Sequence, residues 1–206
     1  MTAADIMRAD LRLITGFVPQ HSRVLDLGCG DGSLMAHLRD ERGCEVRGIE
    51  LAPEEIAAAI ARGLSVVQGD LDEGLAGYPD CSFDVVVLSQ TMQVVRKPAL
   101  VLREMLRVGR RGIITFPNFG YWRVRGYLAL KGRMPVSESI PFSWYDTPNI
   151  HHTTLRDFRD FVAANGGVIE KEVPLVAAGW RDRVREVRVL PNLLADTAVA
   201  VVRAKE

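Results

Sequence analysis

Apolar residues along the chain fall into short runs, separated by longer stretches in which they recur every three or four positions. Short runs of this kind predict buried strands, and the wider spacing predicts amphipathic helices. The predicted strands are 23–27, 45–50, 64–68, 83–89, 112–116, 168–173 and 197–202, and the predicted helices are 2–15, 33–41, 53–61, 98–106 and 154–165. This alternation favours an α/β fold with a doubly wound, mostly parallel sheet, in a single domain over residues 1–206.

A glycine-rich turn joins the first predicted strand to the helix that follows it. The stretch 23–33 reads RVLDLGCGDGS, and we expect Ser33 to cap the helix, as we expect Gly16 to end the helix before the strand. Glycines permit positive φ and close approach of the backbone to a ligand, and the free N–H groups of the helix face the same place. A small ligand is therefore expected in this crevice.

The spacing of the turn argues against a dinucleotide fingerprint. A GxGxxG pattern counted from Gly28 would require glycine or alanine at position 33, where this chain has serine. An acid, Asp26, stands two residues before Gly28. In this form the motif resembles the first motif of class I S-adenosylmethionine-dependent methyltransferases, which have a Rossmann-like fold. The resemblance implies that Asp26, Gly28, Cys29 and Gly30 surround the methionine end of that cofactor.

Further cofactor contacts are expected where the next strands end. Glu50 closes the second strand, 22 residues beyond Gly28, where a carboxylate can accept hydrogen bonds from both ribose hydroxyls. The alternative for Glu50 is an exposed strand-end carboxylate. The resemblance implies that Asp70 accepts from the adenine amino group, although Asp70 could be a turn residue and Asp72 is close enough to compete. The remaining candidate cofactor-binding residues are Leu51, Leu71, Ser89 and Gln90, with the last two beside the sulfonium.

The sequence offers no unambiguous general base. After the fourth strand it reads SQTMQ, whereas an Asn- or Asp-Pro-Pro-aromatic tetrapeptide would indicate an amino-nitrogen acceptor. In methyl transfer the cofactor carries the reactive group, and some acceptors need no base. The candidate catalytic residues are His151, His152 and Tyr145. The alternative for His152, which stands next to Thr153 and Thr154, is a place at a helix start.

An aromatic-rich insertion, at about residues 117–152, replaces a simple strand-to-helix connection. So long a segment is typically a lid, a substrate pocket or a partner surface, although its aromatic residues can also staple it to the sheet. The candidate substrate or partner residues in it are Asn118, Tyr121, Trp122, Tyr145, Asp146 and Asn149. Its basic run, Arg123, Arg125, Lys131 and Arg133 on a short helix, is either a solvated face or a dock for an acidic partner.

The insertion carries a more specific resemblance. The strings FPNFGYW and WYDTPNIH, with the opening VLDLGCGDG, are similar to the MetW family of methionine biosynthesis proteins over most of residues 22–165. That resemblance implies a methyltransferase-like protein that works alongside homoserine O-acyltransferase (MetX). Two hypotheses stay open. The protein is a regulatory or activating partner that senses S-adenosylmethionine or S-adenosylhomocysteine, or it is a methyltransferase acting on an unidentified small molecule.

Composition and charge limit the kinds of molecule that the protein is expected to bind. Twenty-six acidic residues balance 26 basic ones, so overall charge gives no reason to expect nucleic acid or a membrane surface. The three cysteines are far apart, without CxxC or histidine spacing, so neither a disulfide framework nor a metal site is expected. No apolar run approaches the roughly 20 residues of a membrane span, and no signal pattern opens the chain. The expectation is a soluble cytoplasmic protein.

Overall fold

The computed structural model describes residues 9–137, 139–177 and 184–205, and one eight-stranded sheet runs through them. The strands are β1 (Arg23–Leu27), β2 (Glu45–Glu50), β3 (Ser65–Gln68), β4 (Phe83–Ser89), β5 (Gly109–Pro117), β6 (Gly167–Ala177), β7 (Val184–Glu186) and β8 (Thr197–Ala204). The helices are α1 (Ala9–Phe17), α2 (Ser33–Arg42), α3 (Pro53–Ala61), α4 (Pro98–Val108), α5 (Trp122–Lys131), α6 (Leu155–Ala164) and α7 (Pro191–Leu194), with a 3₁₀ turn at Leu71–Glu73.

The strand order is β3-β2-β1-β4-β5-β8-β6-β7. Strands β1 to β5 pair in parallel, and β8 inserts antiparallel between β5 and β6. The order reverses between β1 and β4, and in sheets of this class ligands bind at the carboxyl ends of the strands at that reversal. The predicted doubly wound, mostly parallel α/β class is confirmed.

Both faces of the sheet carry apolar side chains that are buried beneath helices. Along β4 they alternate, so that Val85 and Val87 face the cluster beneath α1 and α2 while Val86 and Leu88 face the cluster beneath α4 and α6. On the second face Phe116 of β5 stacks on Phe158 of α6, with ring centroids 4.1 Å apart. Burial on both faces explains why β4 reads as a continuous apolar run instead of an alternating one.

The structure corrects several predicted boundaries. Helix α1 continues through Gly16 to Phe17, and the predicted residues 2–8 of that helix lie outside the described residues. Gly32, not Ser33, is the N-cap of α2; the carboxylate of Asp31 accepts from the backbone N–H of Ser33 at 3.0 Å. Two late strands were predicted, and the described residues contain three. The additional strand, β7, has only three residues, too few for an apolar run to mark it.

The aromatic-rich insertion contains α5 and returns to the sheet through backbone hydrogen bonds. The N–H of Phe119 donates to the carbonyl of Thr153 at 3.0 Å. The N–H groups of Ile150 and His151 both donate to the carbonyl of Gln93, at 2.9 and 3.1 Å. The insertion is thus fastened to the loop that follows β4. Within the described residues, no helix is long and apolar enough to cross a membrane.

Candidate cofactor site

The glycine turn is held against the end of β2. The N–H groups of Gly28 and Cys29 both donate to the carbonyl of Ile49, at 2.8 and 3.2 Å. Gly28 has φ +71°, and a Cβ placed on it would lie 2.8 Å from Oγ1 of Thr91. Glycine is therefore required here both for the backbone conformation and for the close approach of the loop after β4.

Glu50 turns its carboxylate back toward this turn. One oxygen accepts from the N–H of Gly30 at 2.9 Å, and the other accepts from Leu51 and Ala52 at 2.7 and 3.1 Å. A Cβ on Gly30 would find no atom nearer than Oε2 of Glu55 at 3.9 Å. The space above Gly30 is therefore open, beside a carboxylate fixed by three backbone donors.

Asp26 lies beneath the turn with an unsatisfied oxygen. The residue is 2% exposed, and its Oδ1 has no hydrogen-bond partner. Burial, and secondarily the charge of Glu50, raise the pKa of Asp26 from 3.8 to about 7. A buried carboxylate without a partner is costly, so the site favours a ligand that brings a cation or a hydrogen-bond donor.

Cys29 is a packing residue in this arrangement. Its side chain is buried against Met35 and Ala59. Burial raises the pKa of its thiol to about 12, and the carboxylates of Asp26 and Glu50 add to the shift. Because the thiolate is the nucleophilic form, this cysteine is unsuited to covalent chemistry at neutral pH.

The two aspartates after β3 have different surroundings. The carboxylate of Asp72 accepts from the N–H groups of Arg96 and Lys97, at 2.9 and 2.6 Å, and so fixes the loop that leads into α4. Asp70 is exposed and accepts from the N–H of Asp72 at 2.9 Å, as cap of the 3₁₀ turn that begins with the buried Leu71. Asp70 is the acid of the pair with room for a ligand.

The end of β4 is a network of neutral polar groups. Oγ of Ser89 lies 3.2 Å from Oγ1 of Thr115, and that oxygen also accepts from the N–H of Gln90 at 3.0 Å. Gln90 has φ +54°, an uncommon conformation for a residue other than glycine. Nε2 of Gln93 donates to the Gln90 carbonyl at 2.9 Å, and Oε1 of Gln93 is buried without a partner. Sequence reasoning missed Thr115 and Gln93, although Gln93 closes the SQTMQ string.

The candidates in the insertion fall into two groups. Asn118 is 1% exposed; its Nδ2 donates to the carbonyls of Ala195 and Asn192, at 2.7 and 3.2 Å, and its Oδ1 accepts from Gly120. Tyr121 is also buried, in a small apolar cluster. Asn118 ties the start of the insertion to α7 and the residue that follows it, and Tyr121 packs in a cluster that includes Val176 of β6. A ligand at Asn118 would have to displace its hydrogen bonds.

The other insertion candidates lie nearer the surface. Trp122, Tyr145 and Asp146 are exposed, and Asn149 is half-buried with its N–H donating to Oγ1 of Thr147 at 3.1 Å. The structure therefore does not bring all the predicted substrate or partner residues to one place.

The two histidines also differ. Nε2 of His151 is buried without a partner, whereas His152 is exposed and its ring packs against Phe119 with centroids 4.4 Å apart. Through its backbone His151 is tied to Gln93, next to the end of β4. His151 is thus the histidine held beside the loop after β4, and a role for either ring as a base stays a prediction. Among the residues that the structure describes, no three His, Cys, Asp or Glu side chains are grouped to hold a metal ion.

Comparison of the sequence with known proteins shows the family to which the chain belongs. A family model described as methionine biosynthesis protein MetW matches residues 8–202. The bifunctional methionine biosynthesis protein MetXA/MetW of Rhodopirellula baltica is 39% identical over 203 residues, which cover 94% of this chain and 32% of that protein. The chain thus spans about a third of that relative's length. A ubiquinone biosynthesis O-methyltransferase of Xanthomonas axonopodis pv. citri is 37% identical over 184 residues, 81% of this chain and 71% of that enzyme.

Solved structures show the same fold. An S-adenosylmethionine-dependent methyltransferase from Mesorhizobium loti superposes with a TM-score of 0.70 at 18% identity, over 98% of this chain and 100% of that one. One from Archaeoglobus fulgidus gives a TM-score of 0.71 at 16% identity, over 98% and 95%. The chain belongs to the MetW family of methionine biosynthesis proteins and has the class I S-adenosylmethionine-dependent methyltransferase fold.

Proposed function

We propose that residues 1–206 act as a single domain that binds S-adenosylmethionine or S-adenosylhomocysteine at the carboxyl edge of β1, β2 and β4. The observation that carries this proposal is the pair of carboxylates around the glycine turn, Asp26 buried with an unpartnered oxygen and Glu50 beside the open space over Gly30. A nucleoside with a cationic amino-acid tail brings both a diol and a positive charge to such a site.

Each candidate then has a chemical role. Glu50 accepts from the ribose hydroxyls, Asp26 faces the cationic methionine end, and Asp70 with the backbone of Leu71 takes the adenine. Ser89 and Gln90, at the end of β4, line the sulfonium side. When bound, S-adenosylmethionine supplies an activated methyl group; the residues of the chain orient it and exclude water.

We propose further that the protein acts with homoserine O-acyltransferase (MetX), as its regulatory or activating partner in the cytoplasm. Support comes from the relative whose printed name joins MetXA to MetW in one polypeptide. Within the described part of the chain, the side chains at the end of β4 are hydroxyls and amides, which bind and orient but do not take a proton near neutral pH.

Methyl transfer to an unidentified small molecule is the second candidate. The similarity to a ubiquinone biosynthesis O-methyltransferase favours it, as does the unpartnered Nε2 of His151 close to the loop after β4. An acceptor hydroxyl near His151 would have a base within reach. The two candidate functions share one cofactor site and differ in whether a partner protein or a methyl acceptor binds next to it.

Calorimetric titration with S-adenosylmethionine and S-adenosylhomocysteine tests the shared part. Glu50→Ala removes a charged acceptor, a loss of about 1.5–3 kcal/mol that corresponds to roughly 10- to 150-fold weaker binding. Glu54→Ala, an exposed glutamate in the first turn of α3, is the matched control and should bind as the wild type does. Equal affinities for all three proteins would contradict the assignment.

Repeating the titration with purified homoserine O-acyltransferase separates the candidates. If nucleoside affinity changes in the presence of the acyltransferase, then nucleoside must change acyltransferase binding by the same factor, as a regulatory partner requires. If the nucleoside binds and the acyltransferase neither binds nor alters the affinity, the regulatory role is wrong and the search turns to a methyl acceptor.

A further inference from the structure

Helix α5 exposes apolar side chains that a protein normally buries. Of its ten residues Val124 is buried, while Trp122, Tyr127, Leu128 and Leu130 are all exposed, Leu130 to 85%. A helix of this length gains its stability mainly from packing of apolar side chains, and in α5 most of the large apolar side chains are left in solvent. The exposed apolar side chains of α5 are therefore typical of a helix that a binding partner covers.

A groove lies between the C-terminal half of α5, residues 132–136 and residues 143–145. It has a volume of about 540 Å³, and its apolar lining comes from Tyr127, Met134, Val136, Trp144 and Tyr145. Trp144 and Tyr145 are 73% and 76% exposed and meet edge to face, with ring centroids 5.6 Å apart. Exposed tryptophan and tyrosine side chains around a concavity are typical anchors of protein–protein interfaces. We call this feature the insertion groove.

The segment that forms the insertion groove carries an excess of basic residues. Residues 122–146 contain Arg123, Arg125, Lys131 and Arg133 against Glu138 and Asp146, and Arg133 lines the groove itself. Within the described part of the chain, none of the four basic side chains has a carboxylate oxygen within 4.0 Å. A surface of this kind is complementary to an apolar patch rimmed by carboxylates.

Two other occupants fit this surface poorly. A symmetric dimer would bring the same patch of each copy together and would set two surfaces of the same net charge against each other. A helix that lies on a membrane separates its basic and apolar faces, whereas in α5 Arg123, Arg125 and Lys131 are interspersed among the apolar positions around the helix.

The geometry points to the insertion groove as the docking surface for homoserine O-acyltransferase, through an apolar, carboxylate-rimmed patch on that enzyme. This inference rests on the proposed function, and it assigns the partner to a surface separate from the cofactor edge. The relative that carries the MetXA name provides the second support, since fusion keeps two partners at a high effective concentration. Trp144 and Tyr127 are the expected anchors, and Arg133 supplies charge at the rim.

Binding of the purified acyltransferase from the same organism, measured by calorimetry, tests the assignment. Trp144→Ala and Tyr127→Ala should each weaken binding by about 30-fold or more, the loss typical of a buried aromatic anchor. Arg133→Glu should also weaken binding, with a smaller dependence on salt than the wild type. Ile60→Ala, which shortens a 56% exposed side chain on α3, is the control and should leave affinity unchanged. All four side chains are on the surface, so unfolding midpoints should match the wild type.

The outcomes distinguish this inference from the proposed function. If the wild-type chain binds the acyltransferase and both aromatic variants bind equally well, the groove is the wrong surface while the partnership stands. If the wild-type chain does not bind the acyltransferase at all, the partnership itself fails, and the groove assignment with it. If sedimentation shows a dimer of the chain alone that Trp144→Ala dissociates, a second copy is the occupant and the assignment is overturned.

Discussion

Asp26 should give the stability of the protein a pH dependence that one substitution removes. Its pKa is raised from 3.8 to about 7 in the folded state, chiefly by burial. The folded protein therefore holds this proton more tightly than the unfolded chain does. The stability that the protonated carboxyl contributes is fully present below pH 3.8 and is lost as the pH rises through 7.

The magnitude follows from the two pKa values. At 1.36 kcal/mol per unit, the raised pKa lowers the stability relative to its value below pH 3.8. The loss is about 2 kcal/mol at pH 5, where the folded carboxyl keeps its proton and the unfolded one does not, and about 4 kcal/mol at pH 8.5, where both are ionised. Asp26→Asn removes this loss at both pH values. The stability of the variant relative to the wild type should therefore rise by about 2 to 3 kcal/mol between pH 5 and pH 8.5. Any constant cost of packing the amide cancels in that difference.

Urea unfolding followed by tryptophan fluorescence at the two pH values measures the effect. Asp84→Asn is the control, because the backbone N–H of Arg23 lowers the pKa of Asp84 and its ionised form stabilises the fold. That variant should lose stability at both pH values. A relative stability of Asp26→Asn that is the same at pH 5 and pH 8.5 would show that the Asp26 carboxyl titrates normally, and would refute the reasoning.

Two further sets of variants test the glycine turn after β1 and the start of the insertion at Asn118. Gly28→Ala should lower the free energy of unfolding by about 3 kcal/mol, because the new Cβ would clash with Thr91 and alanine disfavours the positive φ at this position. Gly30→Ala has φ +54° but open space around the new Cβ, so it should lower the free energy of unfolding by only about 1–2 kcal/mol and should weaken nucleoside binding. A larger stability loss for Gly30→Ala in urea unfolding would contradict this. Asn118→Ala should cost about 3 kcal/mol, since it leaves buried backbone groups unpaired, and calorimetry should find nucleoside affinity retained at temperatures where the variant is folded.

The central strands were predictable from sequence because burial on both faces leaves a continuous apolar run. Strand β4 is bounded in the structure as its pattern predicts, from Phe83 to Ser89. The position of Asp26 and Glu50 was predictable for a related reason, since residues that end parallel strands next to the strand-order reversal converge on one edge. Their roles toward a nucleoside stay a prediction.

Other features depend on contacts that no local pattern records. The side chain of Asn118 donates to backbone carbonyls 74 and 77 residues away, and no local pattern predicts these contacts. Its role toward a substrate or partner stays a prediction. Ser33 and Asp31 are both good partners for a helix N-terminus, and only the fold shows that Asp31 supplies the oxygen. Strand β7 is fixed by pairing with β6 and has too few residues for a period to be seen.

The loop after β4 connects the cofactor edge to the insertion. The carbonyl of Gln90 accepts from the side chain of Gln93, and the carbonyl of Gln93 accepts from the N–H groups of Ile150 and His151. A ligand that shifts Gln90 out of its positive-φ conformation therefore acts on the same residue that holds the end of the insertion, a few positions beyond Trp144. Under the proposed function, this shared loop gives nucleoside and acyltransferase a physical route to affect one another, and any coupling through it must be equal in both directions. Methyl transfer alone needs no such connection between the cofactor edge and an exposed aromatic groove.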